Sequence, residues 1–211
     1  LSKVKMYDLL SKNKKFKKYI RISTPEAIGY VKGLISETTK SNPSTPYAIS
    51  HLTQDLTLLA YFKFNKFPFV ISRFSNFYGP HQQPYRIIPK TLYCIFNKKK
   101  LSLHGGGKAI RSFIYIDDFC DGIYKSMTKG KPGEVYNFTN REYVSIVWLI
   151  KKICFLTKAN FNKLVKISKD RPTKDPSYKM NPRKAEKNLN WKPKYSIEEG
   201  LKNTIDWYKT N

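Results

Sequence analysis

Lys18-Tyr19-Ile20-Arg21-Ile22-Ser23 alternates polar and apolar residues with the period of a β-strand, and Thr24-Pro25 stops it. Residues 4–13 have the spacing of a helix end, so a helix feeds this strand, as in an α/β sheet already under way. Past the turn Asn42-Pro43-Ser44-Thr45-Pro46, the residues Ile49, Leu52, Leu56, Leu59 and Ala60 recur at helical spacing and predict a helix from 47 to about 64. Phe67-Pro68-Phe69-Val70-Ile71-Ser72-Arg73-Phe74 is then a short, nearly continuous apolar run closed by Tyr78-Gly79-Pro80. Such a run suits a parallel strand buried on both faces.

From Ile87 onward the order of elements changes. A helix to about residue 97 precedes a short strand, Leu101-Ser102-Leu103-His104, and Gly105-Gly106-Gly107 reads as a hairpin turn into a strand at 112–116. A helix over 117–127 and a strand over 133–138 follow. Ser145 is placed to cap a helix to about 156 with Ile146, Leu149, Ile150 and Ile153 on its apolar face. Ser196-Ile197-Glu198-Glu199 is a capping box, opening a last helix that turns Leu201, Ile205 and Tyr208 inward.

With 211 residues, 40% of them hydrophobic and 15% aromatic, the chain has material for a real core. No apolar run approaches the roughly 20 residues that span a bilayer, and Leu1-Ser2-Lys3-Val4-Lys5 does not open a signal peptide, so a cytoplasmic location and no membrane partner are expected. Cys94, Cys120 and Cys154 are odd in number, far apart and without paired histidines; they are expected to be buried thiols, with no disulfide framework and no metal. A net charge of +25 invites a nucleic-acid reading. The pattern argues against it: 33 of the 40 basic residues are Lys, scattered among Asn, Ile, Phe and Tyr, and they suit solvated faces that steer a small anionic substrate.

Tyr47 and His51 stand four apart on the predicted helix and so share a face. Alone the pair means little in a chain with 15 Tyr. Its context is the strand ending in Ser23-Thr24-Pro25-Glu26, because the carboxyl ends of strands line the ligand crevice of open α/β sheets. A hydroxyl, a carboxyl group and a phenol converging there form an acid/base set.

Three stretches then carry a specific resemblance: Ser23-Thr24-Pro25-Glu26-Ala27-Ile28-Gly29, Pro43-Ser44-Thr45-Pro46-Tyr47-Ala48-Ile49-Ser50-His51, and Arg73-Phe74-Ser75-Asn76-Phe77-Tyr78-Gly79-Pro80. Further matches are Tyr85-Arg86-Ile87-Ile88-Pro89, Leu103-His104-Gly105-Gly106-Gly107, the segment from Arg111 to Asp118, Gly133-Glu134-Val135-Tyr136-Asn137, Asp170-Arg171-Pro172 and Leu189-Asn190-Trp191-Lys192-Pro193. In order and spacing these resemble the extended short-chain dehydrogenases, the NAD-dependent epimerase/dehydratase family, most nearly its dTDP-glucose 4,6-dehydratase subgroup. The resemblance covers essentially the whole chain.

It implies an α/β fold: the later part of a doubly wound parallel, Rossmann-like sheet over 1–80 that also receives about 117–140, and a smaller mixed α/β substrate domain from 81–116 and 141–211. By the same resemblance Tyr47 takes the proton of the sugar 4-hydroxyl while hydride passes to NAD, Thr24 hydrogen-bonds that oxygen, and Glu26 removes the C5 proton. Tyr47 and His51 would touch NAD. Asn76 and Arg111 match positions that bind the diphosphate of a nucleotide-diphosphate sugar, with Arg171 joining them, and Arg86, Ile88 and Leu103 lie in segments matching the substrate and base walls. A homodimer pairing through the helix of Tyr47 is implied as well.

The chain departs from the pattern in three places. His51 stands where the family has lysine; if it substitutes for that charge, activity should fall as the imidazole loses its proton, and His51→Lys should broaden the pH profile. Pro25 stands where the acid for the departing hydroxyl is usual, which leaves room for epimerisation. No Gly-x-x-Gly-x-x-Gly turn occurs in these residues, so by themselves they are expected neither to bind NAD measurably nor to turn over. An in-frame Gly-rich segment upstream of Leu1 would restore the enzyme; without it a truncated chain that binds sugar nucleotide or its own partner is the reading from another class.

Overall fold

The computed structural model describes residues 2–170 and 175–210. A parallel three-stranded sheet runs in the order β1-β2-β6, with β1 at Tyr19–Ser23, β2 at Phe69–Phe74 and β6 at Glu134–Phe138. All six residues of the central β2 are buried, which is why its sequence is an almost unbroken apolar run. The strand period sorts the two faces. Tyr19, Phe69, Ile71 and Val135 pack with Tyr7 and Leu58 of helices α1 (Ser2–Lys12) and α2 (Pro46–Asn65). Ile20, Val70, Phe74, Tyr136 and Phe138 pack on the other side with Phe119 of α4 (Ile116–Lys129), Ala185 and Leu189 of α7 (Arg183–Leu189), and Trp191. Helices cover both faces, which is the doubly wound arrangement.

Tyr78-Gly79-Pro80 does not simply close β2. Ser75 alone separates β2 from a three-residue strand β3 (Asn76–Tyr78), which pairs parallel with β5 (Ile110–Tyr115); β5 in turn pairs antiparallel with β7 (Tyr143–Ser145). Helices α3 (Ile87–Phe96), α5 (Ile146–Thr157) and α8 (Ile197–Thr210) bury Leu92, Leu149, Ile153, Leu201 and Ile205 against Tyr78 and Phe113. The caps read from the sequence are formed. Ser145 accepts from the Trp148 amide at 3.2 Å, and Ser196 and Glu199 cap each other, the Ser196 amide donating to Glu199 at 2.8 Å and the Glu199 amide to Ser196 Oγ at 3.2 Å.

The expected hairpin at Gly105-Gly106-Gly107 is corrected. β4 (Leu101–His104) pairs parallel with β8 (Val165–Ser168), which follows the short helix α6 (Phe161–Leu164), and not with β5. The three glycines, at φ 57°, 62° and 67°, turn the chain from one sheet toward another, and a Cβ on Gly105 would lie 2.2 Å from an Asp170 oxygen. The thiols also differ from expectation: Cys94 and Cys154 are buried, whereas Cys120 is exposed. Among the described residues no helix is long and apolar enough to cross a membrane.

Candidate active site

The Thr24 side chain caps the 3-10 turn Pro25–Ala27 that ends β1, accepting from the Glu26 amide at 3.3 Å. The chain then loops out and returns. The Asn42 amide donates to Ile28 O at 2.7 Å, and the approach is close enough that a Cβ on Gly29, at φ +83°, would stand 2.1 Å from Asn42 O. This return sets the start of α2 beside Glu26. Thr45 caps α2 through the Ala48 amide at 3.1 Å with Pro46 in its first turn, so Tyr47 stands in the opening turn of the helix with 52% of its surface exposed.

The Tyr47 and His51 rings lie on one helix face, their centroids 4.5 Å apart. Asp55, one turn further, completes the face and is buried. Opposite, β1 turns Arg21 and Ser23 toward the helix. Arg21 Nη2 is 2.9 Å from His51 Nδ1, Arg21 Nε donates to Asp55 Oδ1 at 3.2 Å, and Ser23 Oγ donates to the other Asp55 oxygen. Burial, then the Arg21 guanidinium, pushes the His51 pKa down. Both causes act against the protonated form that would stand in for the charge of a lysine.

Burial pushes the Glu26 carboxyl up, with Arg111 and Arg86 pulling the other way and Asp175 adding to the rise. The Tyr47 phenol is raised by burial and by Glu26, and lowered by Arg86 and Arg21. Glu26, Tyr47, Arg86 and Arg111 thus share one electrostatic neighbourhood. Arg111, on β5, donates to Ile110 O at 2.8 Å and Asp175 O at 2.9 Å and lies 4.4 Å over the Tyr178 ring. Asp175 Oδ2 accepts from Tyr178 at 2.6 Å and from Ser44 at 2.8 Å, which joins the segment before α2 to this cation.

The other expected site residues are less gathered. Arg86 is exposed beside Tyr85, and Asn76 is exposed with one long bond of 3.5 Å to Ser112 O. Ile88 and Leu103 are buried side chains of two separate cores. Arg171 lies outside the described residues. Arg21, Asp55, Asp175 and Tyr178 were not singled out from the sequence. The signal for the first two was present, as a polar stripe Tyr47-His51-Asp55 at helical spacing facing Arg21 and Ser23 at strand spacing; for the last two there was none. Among the described residues no group of three His, Cys, Asp or Glu could hold a metal.

A family model described as GDP-mannose 4,6 dehydratase matches residues 1–204. Human dTDP-D-glucose 4,6-dehydratase is 36% identical over 200 residues, which cover 92% of this chain and 57% of that protein. The crystal structure of dTDP-glucose 4,6-dehydratase from Bacillus anthracis in complex with NAD superposes with a TM-score of 0.93 at 32% identity, covering 99% of this chain and 66% of that one. UDP-glucuronic acid 4-epimerase from Bacillus cereus, in complex with UDP-glucuronic acid and NAD, superposes at 0.91 and 27% identity, covering 97% and 65%. The chain spans a little over half the length of the curated relatives it matches.

Proposed function

Because the chain belongs to the epimerase/dehydratase family of extended short-chain dehydrogenases, matched by the GDP-mannose 4,6 dehydratase model, we propose that it serves the NAD-dependent conversion of a nucleotide-diphosphate sugar, as a 4,6-dehydratase of the dTDP-glucose type. The observation that carries this reading is the placement of Glu26 and Tyr47, a carboxyl group and a phenol, in one electrostatic neighbourhood with Arg86 and Arg111. A proton-transfer pair beside cations suits a sugar carrying a diphosphate.

The donor set fits the nicotinamide end of NAD. His51 Nδ1 is taken up by a guanidinium that can only donate, so the neutral ring carries its proton on Nε2 and offers it to a ribose hydroxyl. NAD, when bound, supplies hydride acceptance. Tyr47 Oη takes the proton of the sugar hydroxyl, Thr24 Oγ1 hydrogen-bonds the same oxygen, and Glu26 takes the proton from carbon. Arg111 binds the diphosphate, with Asn76 and Arg86 as further candidates. We assign the nucleotide-sugar site to the junction of a cofactor unit, 1–80 with about 117–140, and a substrate unit, 81–116 with 141–211.

Pro25 favours a second reading within the same class: it has no proton for a departing hydroxyl, as an elimination requires, whereas an epimerisation needs none. Pairing of two copies through α1 and α2 is supported by the exposed Leu9, Ile49, Leu56 and Phe64, of which Phe64 is 86% exposed. Titration of the chain with dTDP-glucose, UDP-glucose and GDP-mannose, with ATP and pyrophosphate as controls at about 0.15 M salt, tests the substrate class. Saturable binding that favours a nucleotide-sugar and is lost in Arg111→Ala is expected; equal binding of every anion, indifferent to Arg111→Ala, would sink it. Where turnover occurs, a 4-keto-6-deoxy product marks the dehydratase and a C4 epimer the alternative. Failure of both, with binding kept, leaves a sugar-nucleotide-binding or dimerising chain.

A further inference from the structure

We infer that Arg21 is the positioning cation of this site: its guanidinium holds His51 as a neutral, Nε2-protonated ring and sets the positive charge behind that ring, not next to the Tyr47 phenol. The inference rests on the reading of Tyr47 as the reacting phenol for its purpose, though not for its geometry. The geometry is a ladder of two periods. On α2 the side chains of Tyr47, His51 and Asp55 rise one above another at four-residue spacing, and on β1 Arg21 and Ser23 face them at two-residue spacing. Arg21 meets His51 Nδ1 at 2.9 Å through Nη2 and Asp55 Oδ1 at 3.2 Å through Nε.

A guanidinium has donors only and keeps its charge throughout the physiological range. His51 Nδ1 must then accept, because a proton there would set two donors against each other across 2.9 Å and, in the doubly protonated ring, two cations as well. The other groups facing the ring do not reverse this. Lys3 of α1, hydrogen-bonded to Gln54, adds a like charge, and Asp55 is the one opposing carboxylate but is already engaged by Arg21 and Ser23. Tyr47 lies tilted against the ring at an interplanar angle of 49° and brings no charge in its phenol form. His51 is thereby a fixed hydrogen-bond donor through Nε2, and Arg86 and Arg21 pull the Tyr47 phenol toward phenolate against burial, Glu26 and Tyr85, which together leave it raised. A lysine introduced at position 51 would meet Arg21 as a second cation, so His51→Lys alone should not restore what a lysine does elsewhere; it needs Arg21 removed with it.

The chain has three histidines, so selective 15N labelling of the imidazoles resolves each, and the signal that disappears in His51→Gln is assigned to His51. In the unaltered chain, between about pH 8 and about pH 5, the His51 Nδ1 shift should be that of an unprotonated acceptor and Nε2 that of a protonated nitrogen. Arg21→Gln should release the ring to titrate, with its proton affinity raised at least about tenfold, while Arg21→Lys, which keeps a cationic donor, should keep it neutral. An Nδ1-protonated tautomer, protonation of His51 within the ordinary histidine range in the unaltered chain, or a titration unmoved by Arg21→Gln would each overturn the inference. If Arg21→Gln does not fold, the unaltered chain and Arg21→Lys still decide it. None of these readouts depends on turnover: the ladder can be right in a protein that converts no sugar, and wrong in one that does.

Discussion

The two ends of the candidate site treat positive charge in opposite ways. At the Tyr47 end Arg21 is buried against Asp55, which Ser23 also satisfies, so the cation is compensated inside the protein. At the other end Arg111 donates to two backbone carbonyls and lies over a ring, and Arg86 lies over another; among the described residues neither forms an ion pair. The contrast separates tasks. A cation with a committed carboxylate shapes its neighbours, whereas cations without one are left with charge for an incoming anion.

The largest expected effect breaks the contrast at the compensated end. Asp55→Leu strands a buried guanidinium and should cost about 3–5 kcal/mol of stability, read by chemical denaturation, whereas the double variant Arg21→Met with Asp55→Leu recovers most of it. A cost under about 1 kcal/mol for Asp55→Leu would show that Arg21 is not held by it. Arg111→Ala should show the reverse profile: little change in the denaturation midpoint, and a loss of about 1.5–3 kcal/mol in nucleotide-sugar affinity by calorimetry. Under the proposed pairing of two copies, Leu56→Asp, on the exposed side of α2, should leave both ends intact and shift the chain from dimer toward monomer in sedimentation runs.

Smaller effects lie in pH. His51 has a folded-state pKa below its unfolded one, so the unfolded chain takes up a proton first as pH falls; the stability owed to the neutral ring is present above the ordinary histidine range and lost on descending through it. His51→Gln should flatten that limb. Glu26 has the opposite sign, being raised by burial, and its contribution is present in acid and lost as pH rises past its folded value. Glu26→Gln should therefore stabilise the chain at neutral pH, by about 1 kcal/mol or less. Identical pH limbs for His51→Gln, Glu26→Gln and the unaltered chain would remove burial as the cause of both shifts.

Much of this is legible in the sequence alone. β1, α2 and β2 announce themselves because alternation, helical spacing and a buried apolar run are local signals, and the caps at Ser145 and Ser196 are local as well. β3, β7 and β8 were not legible, being three or four residues long and defined by partners distant in the chain, and the mistaken hairpin at Gly105 has the same origin. In the site, Tyr47 with His51 could be paired from spacing alone. That Arg21 faces His51 depends on a contact between a strand and a helix separated by a long loop, so Arg21 read simply as the polar phase of a strand.

The passage from β2 to β3 through the single residue Ser75 has a mechanical consequence. The Ser75 amide is tied to Phe138 O at 3.0 Å, so the link itself is anchored to the first sheet. Levers need a fulcrum with slack, and two torsions in a buried, pinned residue provide almost none. Along this link the chain has little slack, so a hinge between the first sheet and the strand holding Arg111 would have to lie elsewhere.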